Sequence, residues 1–238
     1  MVNKCCIHQP EHLPYIGFFA KLMQASTWIV FDTAQYQKNH FHNRNRIALG
    51  QSAWQWLTVP VKYAHHRSII NTVYVADEFK ASKYLRTLSH AYGSAPYFNM
   101  IFTILESIVH RATKHKSLLD FNLELTLSLM SLLGIRPSIV LASSLENTAY
   151  RNKTERLIKL CNAVSSKTYV CGSGSALYME YDKFAEAGIA VKQISYSPVP
   201  YKRSGDYIPY LSIVDLLMHH NSPEATEIIV SSVNKNYG

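Results

Sequence analysis

The chain has 238 residues, with 24 Lys plus Arg against 16 Asp plus Glu and a formal net charge of +8 at pH 7. Hydrophobic residues make up 47% and charged residues 17%, a balance that excludes an intrinsically disordered chain and is ample for a sizeable core. The apolar runs at 26–31 and 135–145 fall far short of the roughly 20 residues of a membrane-spanning helix.

The opening MVNKCCIHQP has no apolar stretch before its polar and proline residues, so no signal peptide is expected. Lys4 to His8 reads as a short buried strand. The two prolines of QPEHLP then forbid helix before about Tyr15. Tyr15, Phe18, Phe19, Leu22 and Met23 recur at helical spacing, and TWIVFD reads as a second strand ending at Asp32. Strand, helix and strand form a βαβ unit, whose right-handed crossover implies parallel pairing.

Residues 33–50 are polar and lack periodicity, whereas WQWLTVPVKY and SIINTVYVA alternate like strands around a hairpin tip at His65-His66-Arg67. Helices are predicted at about 79–92, 97–115 and 118–133, the last closing at Gly134. SIVLAS, TYVCGSG and IAVKQISYS return as strands. Helices follow in KTERLIKLCNAV and LYMEYDKFAEAG, then in LSIVDLLMHH and PEATEIIVSSV, the last with Pro223 in its first turn. The sum is one α/β domain over 1–238, with a mostly parallel sheet, a βαβ start, a helical insertion at about 78–134 and C-terminal helices.

In open parallel sheets ligands bind beyond the carboxyl ends of the strands. His8-Gln9-Pro10, Asp32 and the turn Gly172-Ser173-Gly174-Ser175 all fall at such ends. His8 is a candidate general acid/base or hydrogen-bond donor, or else a cap on local carbonyls. Pro10 prevents the helix that would align His8 with His12, so no metal site is expected. Asp32 is a candidate base or ribose acceptor, or a turn cap. Lys38, Asn43, Arg44, Asn45 and Arg46 form a basic, amide-rich stretch suited to phosphate or carboxylate, or a solvated loop. The glycine-rich turn lacks the Lys-Ser/Thr of a Walker motif, yet its backbone N–H groups can face an anion.

Lys153, Arg156 and Lys159 share one helix at three-residue steps. Asp215 sits among apolar neighbours, facing a pocket or a buried polar partner. Cysteines at 5, 6, 161 and 171 form no CxxC pair, and reduced thiols in a cytoplasmic protein are expected. No helix carries a continuous basic stripe, which disfavours nucleic acid as the partner of the excess charge.

Taken together, IHQPEHLPYIGFFAKL, WIVFDTAQYQKNHFHNRNRI, WLTVPV, KTERLIKLC, YVCGSGSALYM, FAEAGIAV and YIPYLSIVDLL resemble the WbqC-like protein family over nearly the whole chain. On these residues the family motif falls on His8, Gln9, Pro10, Lys21, Asp32, Gln35, Lys38, Asn43, Arg44, Asn45, Thr58, Lys153, Arg156, Gly172 and Asp215. Two departures stand out: Lys202 replaces the family's usual glutamine, and Asn221 replaces a glycine, a place where Asn can adopt the left-handed conformation.

The resemblance implies an accessory enzyme of bacterial O-antigen, capsule or related polysaccharide synthesis, decorating amino sugars. The leading expectation is a transferase that acylates or aminoacylates the amine of a nucleotide-linked sugar, with no cofactor and no metal. His8, oriented by Asp32, removes the amine proton. Arg44, Asn43 and Lys38 hold the donor, Gly172 and Ser173 meet a diphosphate, and Gln9, Lys21, Gln35, Asn45, Lys153 and Arg156 complete the pocket. The runner-up is a nucleotidyl transferase or ATP-dependent adenylating enzyme, which shares the layout of a histidine loop between strand and helix; HLPY stands where such enzymes carry HxGH. The third is a non-catalytic binding protein.

Overall fold

Short apolar runs between polar loops make strands that are covered on both faces. In the computed structural model, which describes residues 3–115, 117–145, 152–176 and 179–233, β1 (Lys4–His8) buries Cys5, Cys6 and Ile7. Every residue of α1 (Ile16–Leu22) and of β2 (Thr27–Val30) is buried. β1 and β2 pair in parallel, Cys5 opposite Thr27 and His8 opposite Val30, as the βαβ reading requires.

Two small antiparallel pairs follow, β3 (Arg44–Leu49) with β4 (Ala53–Thr58) and β5 (Val61–Lys62) with β6 (Tyr74–Val75). The WQWLT strand therefore pairs with 44–49, a segment that reads as irregular, and a 3-10 turn at Ile70–Thr72 replaces the strand expected from Ser68. Residues 44–49 do alternate, but Asn45 takes an inward place beside Ile47 while Arg44 and Arg46 point outward. An inward amide hides a strand from any hydrophobic pattern.

Three helices then run in sequence, α2 (Ala81–Tyr92), α3 (Phe98–His115) and α4 (Leu118–Leu132). Ser117 caps α4 by accepting from the Asp120 N–H, and Gly134, at φ +67°, ends it in the left-handed conformation that glycine adopts without strain. Next come β7 (Ser138–Leu141), the turn α5 (Ala142–Leu145) and α6 (Lys153–Ala163). β8 (Thr168–Gly172), the turn α7 (Ser173–Ala176), α8 (Tyr181–Glu186), β9 (Ala190–Ile194), α9 (Ile213–His219) and α10 (Ser222–Ser231) complete the chain. Asn221 is extended (φ −68°, ψ 167°) and caps α10 by accepting from the Glu224 N–H, so the left-handed role expected of it is not used. Among the described residues no helix is long and apolar enough to cross a membrane.

The main sheet is five-stranded and parallel, in the order β7-β2-β1-β8-β9. The chain builds outward from β1 on one side and then returns to build outward from β8 on the other. The boundary between β1 and β8 is thus a topological switch point, the place where open parallel sheets bind ligands. Alternate residues divide the core between the two faces. Cys6, Trp28, Val30 and Val170 join Phe18, Leu88, Ile101, Leu105, Leu125 and Leu217. Cys5, Ile7, Ile29, Tyr169 and Cys171 join Leu157, Leu160, Cys161 and Phe184. Residues of α2, α3 and α4 are part of the first of these clusters.

Trp28 is fully buried on β2, edge-to-face with Phe18 at 5.4 Å, and its Nε1–H donates to the His8 carbonyl at 3.3 Å. Trp28→Ala is expected to cost about 3–5 kcal/mol, read as a lower urea midpoint at unchanged m-value.

Candidate functional site

The loop from Gln9 to Pro14 has no regular structure, so its backbone groups need partners from elsewhere. Asn122 on α4 donates through Nδ2 to the carbonyls of Pro10 (3.0 Å) and His42 (2.7 Å). Its Oδ1 is left to accept from His12 Nδ1 at 2.9 Å, and His12 Nε2 accepts from the Tyr84 hydroxyl at 2.7 Å. Asn45 Nδ2 donates to the carbonyls of His12 and Leu13. His42 Nδ1 accepts from the Gln37 N–H, so its Nε2–H donates to Gln9 Oε1 at 2.8 Å. Burial pushes both His12 and His42 down to about 4, and both act as neutral struts.

This scaffold presents His8 and Glu11 at the switch point. His8 Nε2 and Glu11 Oε1 are 4.0 Å apart, with side chains 25% and 12% exposed. The His8 ring packs edge-to-face on Phe18, and burial, with the nearby Lys21 charge, holds it well below the usual imidazole range. Glu11 is pushed up to about 7 by burial, against the opposing pull of Lys21, and its Oε2 is buried without a hydrogen-bond partner.

Lys21 is itself buried, its Nζ 3.4 Å from the Ile7 carbonyl, and desolvation lowers its pKa. Burial pushes the neighbouring Cys6 and Cys171 thiols up to about 12 and 11, so of the acids that act on Lys21, Glu11 ionises at the lowest pH. A carboxyl group that titrates near neutrality, next to a neutral imidazole, is equipped to take and return a proton.

Glu11 is absent from the sequence-derived candidates. Its signal is an acidic residue between two prolines in the loop that leaves a buried strand. The structure also moves the expected orienting role away from Asp32. That fully buried side chain accepts from the Ser143 N–H (2.9 Å) and from Asn71 Nδ2 (3.1 Å), so it caps α5, and the carboxyl group beside His8 is Glu11.

Arg156 reaches the carboxyl end of β2: its Nη2 donates to Thr33 Oγ1 at 2.6 Å and its guanidinium lies 4.3 Å from the Phe31 ring. Lys153 opens the same helix. Gly172 ends β8, the strand beside β1, and Ser173 opens α7; a Cβ added at Gly172 or Gly174 meets nothing within 4 Å. Packing does not demand those glycines.

The 35–46 stretch divides differently from expectation. Asn43 is buried between the Tyr36 hydroxyl and the Val59 carbonyl, and Asn45 is the strut described above, so both amides serve the fold. Gln35 is exposed and donates to the His66 carbonyl, and Lys38 is exposed. Arg44 stacks 4.0 Å over Trp56 and donates to the Asn39 carbonyl, on the outer face of the hairpin. Asp215 has a buried polar environment, accepting from Tyr201 Oη at 2.8 Å and from Arg203 Nε at 3.2 Å.

Fold and site together define an α/β protein with a group of polar side chains at the switch point of a parallel sheet. The model of the WbqC-like protein family matches residues 9–228, and the chain belongs to that family. An uncharacterized protein of Mycobacterium tuberculosis, Rv1507c, is 33% identical over 222 residues, covering 92% of this chain and 94% of its own length. No solved structure matches.

An acid whose pKa is higher folded than unfolded stabilises the fold while protonated and loses that contribution as pH rises through the folded value. For Glu11 the window runs from its ordinary 4.5 to about 7. Glu11→Gln keeps the shape without the charge. Its stability relative to the unaltered chain is expected to rise by up to about 3 kcal/mol across that window, measured by urea unfolding at pH 4.5 and 8.

Proposed function

We propose that this chain is a transferase of bacterial surface-polysaccharide synthesis, acylating or aminoacylating the amine of a nucleotide-linked amino sugar. The reading rests on one observation above all: a buried carboxyl group at about 7 with a free oxygen, beside a neutral imidazole, at the switch point of the sheet. Family membership supports the polysaccharide setting, and a cytoplasmic location belongs to the same proposal.

In this reaction the sugar amine attacks the acyl carbon of the donor and a C–N bond forms. Glu11 takes the amine proton as the nitrogen becomes positive. The bond from the acyl carbon to its leaving group breaks, and Glu11 returns the proton to that group. His8 holds the reacting groups by a hydrogen bond from or to its ring, and the Lys21 charge favours Glu11 in its ionised, proton-accepting form. Arg156 and Lys153 from one side, and the backbone N–H groups at Gly172 and Ser173 from the other, meet the diphosphate.

The second reading, nucleotidyl or adenylyl transfer, draws on the strand order, because a nucleotide is a frequent occupant of such a switch point. It differs in releasing pyrophosphate from a nucleoside triphosphate.

The test incubates the full chain with nucleotide-linked amino sugars and activated acyl or aminoacyl donors, with products followed by mass spectrometry. A mass gain on the sugar nitrogen, without pyrophosphate, is the expected result. Glu11→Gln is expected to lower kcat about 100- to 10,000-fold while KM moves little. Full turnover by a folded Glu11→Gln protein would remove Glu11 from the mechanism, and pyrophosphate release would favour the second reading.

A further inference from the structure

The β3–β4 hairpin carries a second concentration of chemistry that the proposed reaction does not use. On its outer face Trp54 and Trp56 are 41% and 36% exposed. The two rings meet edge-to-face at 5.2 Å and 83°. Arg44 lies over Trp56 at 4.0 Å, and Arg46 lies between Trp54 (5.2 Å) and Tyr210 (5.8 Å). The Nε atoms of Arg44 and Arg46 are both buried without a hydrogen-bond partner. Stacking accounts for how the guanidiniums are held, and leaves part of each indole exposed to solvent.

Beside this face a cavity of about 450 Å³ opens, lined among others by Trp56, Thr58, Glu78, Phe79, Lys80 and Lys83. Its volume falls within the range of small-molecule sites, and its mixture of one aromatic wall with a few polar groups is their usual composition.

We infer that the Trp54–Trp56 face and this cavity form a binding site for an anionic saccharide, separate from His8 and Glu11. Indole faces pack against the C–H face of a pyranose, and exposed paired aromatics on a strand surface mark a ligand site. Thr58 and the Glu78 carboxylate accept from ring hydroxyls. Arg44, Lys80 and Lys83 supply the positive field that a carboxylate or phosphate on the sugar needs.

The geometry disfavours a polynucleotide, because perpendicular rings offer no succession of parallel platforms for bases, and Glu78 interrupts the positive track. Tyr84 joins the cavity to the catalytic loop: it lines the cavity and its hydroxyl donates to His12 Nε2. The site would hold a growing or acceptor saccharide next to the reaction, and this placement rests on the proposed function.

The test titrates the full chain with a glucuronate–N-acetylglucosamine disaccharide, with neutral diacetylchitobiose and with oligothymidylate, following tryptophan fluorescence and calorimetry. The acidic disaccharide is expected to saturate with a Kd of about 1 mM or lower, about tenfold tighter than the neutral one. Trp56→Ala is expected to weaken it about tenfold or more. Lys80→Ala/Lys83→Ala, at the exposed start of α2, is expected to erase the preference for the acid without disturbing the fold.

Glu11→Gln retains binding, so binding in that variant together with failed turnover in the unaltered chain would sink the proposed reaction and leave this site standing. No saturation by about 10 mM acidic disaccharide, unchanged affinity in both hairpin-side variants, or tighter binding of oligothymidylate would overturn the inference.

Discussion

The backbone of residues 9–14 sets the terms for the rest of the site. It leaves β1 as an extended segment between prolines, with carbonyls and amides that neither a helix nor a ladder can satisfy. A single amide, Asn122, answers one of those needs at the Pro10 carbonyl, and ties the loop to the His42 carbonyl and the His12 ring by donating to the first and accepting from the second. Asn45 answers two more, and the His12 N–H donates to the Phe41 carbonyl at 2.8 Å. With its backbone occupied in this way, the loop can carry the Glu11 side chain into a dry position whose second oxygen has no partner. Buried polar groups are ordinarily paired. Here the Pro10, His12 and Leu13 carbonyls and the His12 N–H are paired, while the carboxyl tip of Glu11 is not.

The same division explains what was legible in the sequence. β1, α1, β2 and the helices at 81–92, 98–115 and 118–132 follow their apolar spacing to within a few residues. In those segments hydrophobic burial is both the cause of the structure and the visible pattern. β3 was hidden because Asn45 faces inward, and its stabilisation comes from partners 32 and 33 residues away.

Asn43 and Asp32 illustrate the opposite error. Each carries chemistry suited to a ligand, and each spends it on the protein: Asn43 on Tyr36 and Val59, Asp32 on Ser143 and Asn71. Residue type and position at a strand end suit capping and catalysis equally well. Only the inventory of partners separates them, and it leaves an oxygen of Glu11 unpaired while both oxygens of Asp32 are engaged.

Electrostatics at the switch point follows from ordinary burial rather than from a dense charge cluster. Three ionisable groups, His8, Glu11 and Lys21, each resist charging because water is withdrawn. Lys21 and Glu11 relieve that resistance for each other, and thiols held protonated around Lys21 do not compete. The formal +8 of the chain therefore says little about the chemistry at this point. Its local expression is clearer at the hairpin face and on α6, where Arg44 and Arg156 lie over aromatic rings.

The reach of Asn122 also bears on how the protein comes into being. Its bond to Pro10 spans 112 residues, and β1 gains its second neighbour, β8, only when the chain has grown past residue 168. Contacts so distant along the chain are slow to close. During synthesis the amino-terminal strand must wait, with its apolar residues unpaired on one side, until about three quarters of the polypeptide has emerged. The loop at residues 9–14 therefore takes its final form only after Asn122 exists, and the strand that carries it gains its last neighbour later still.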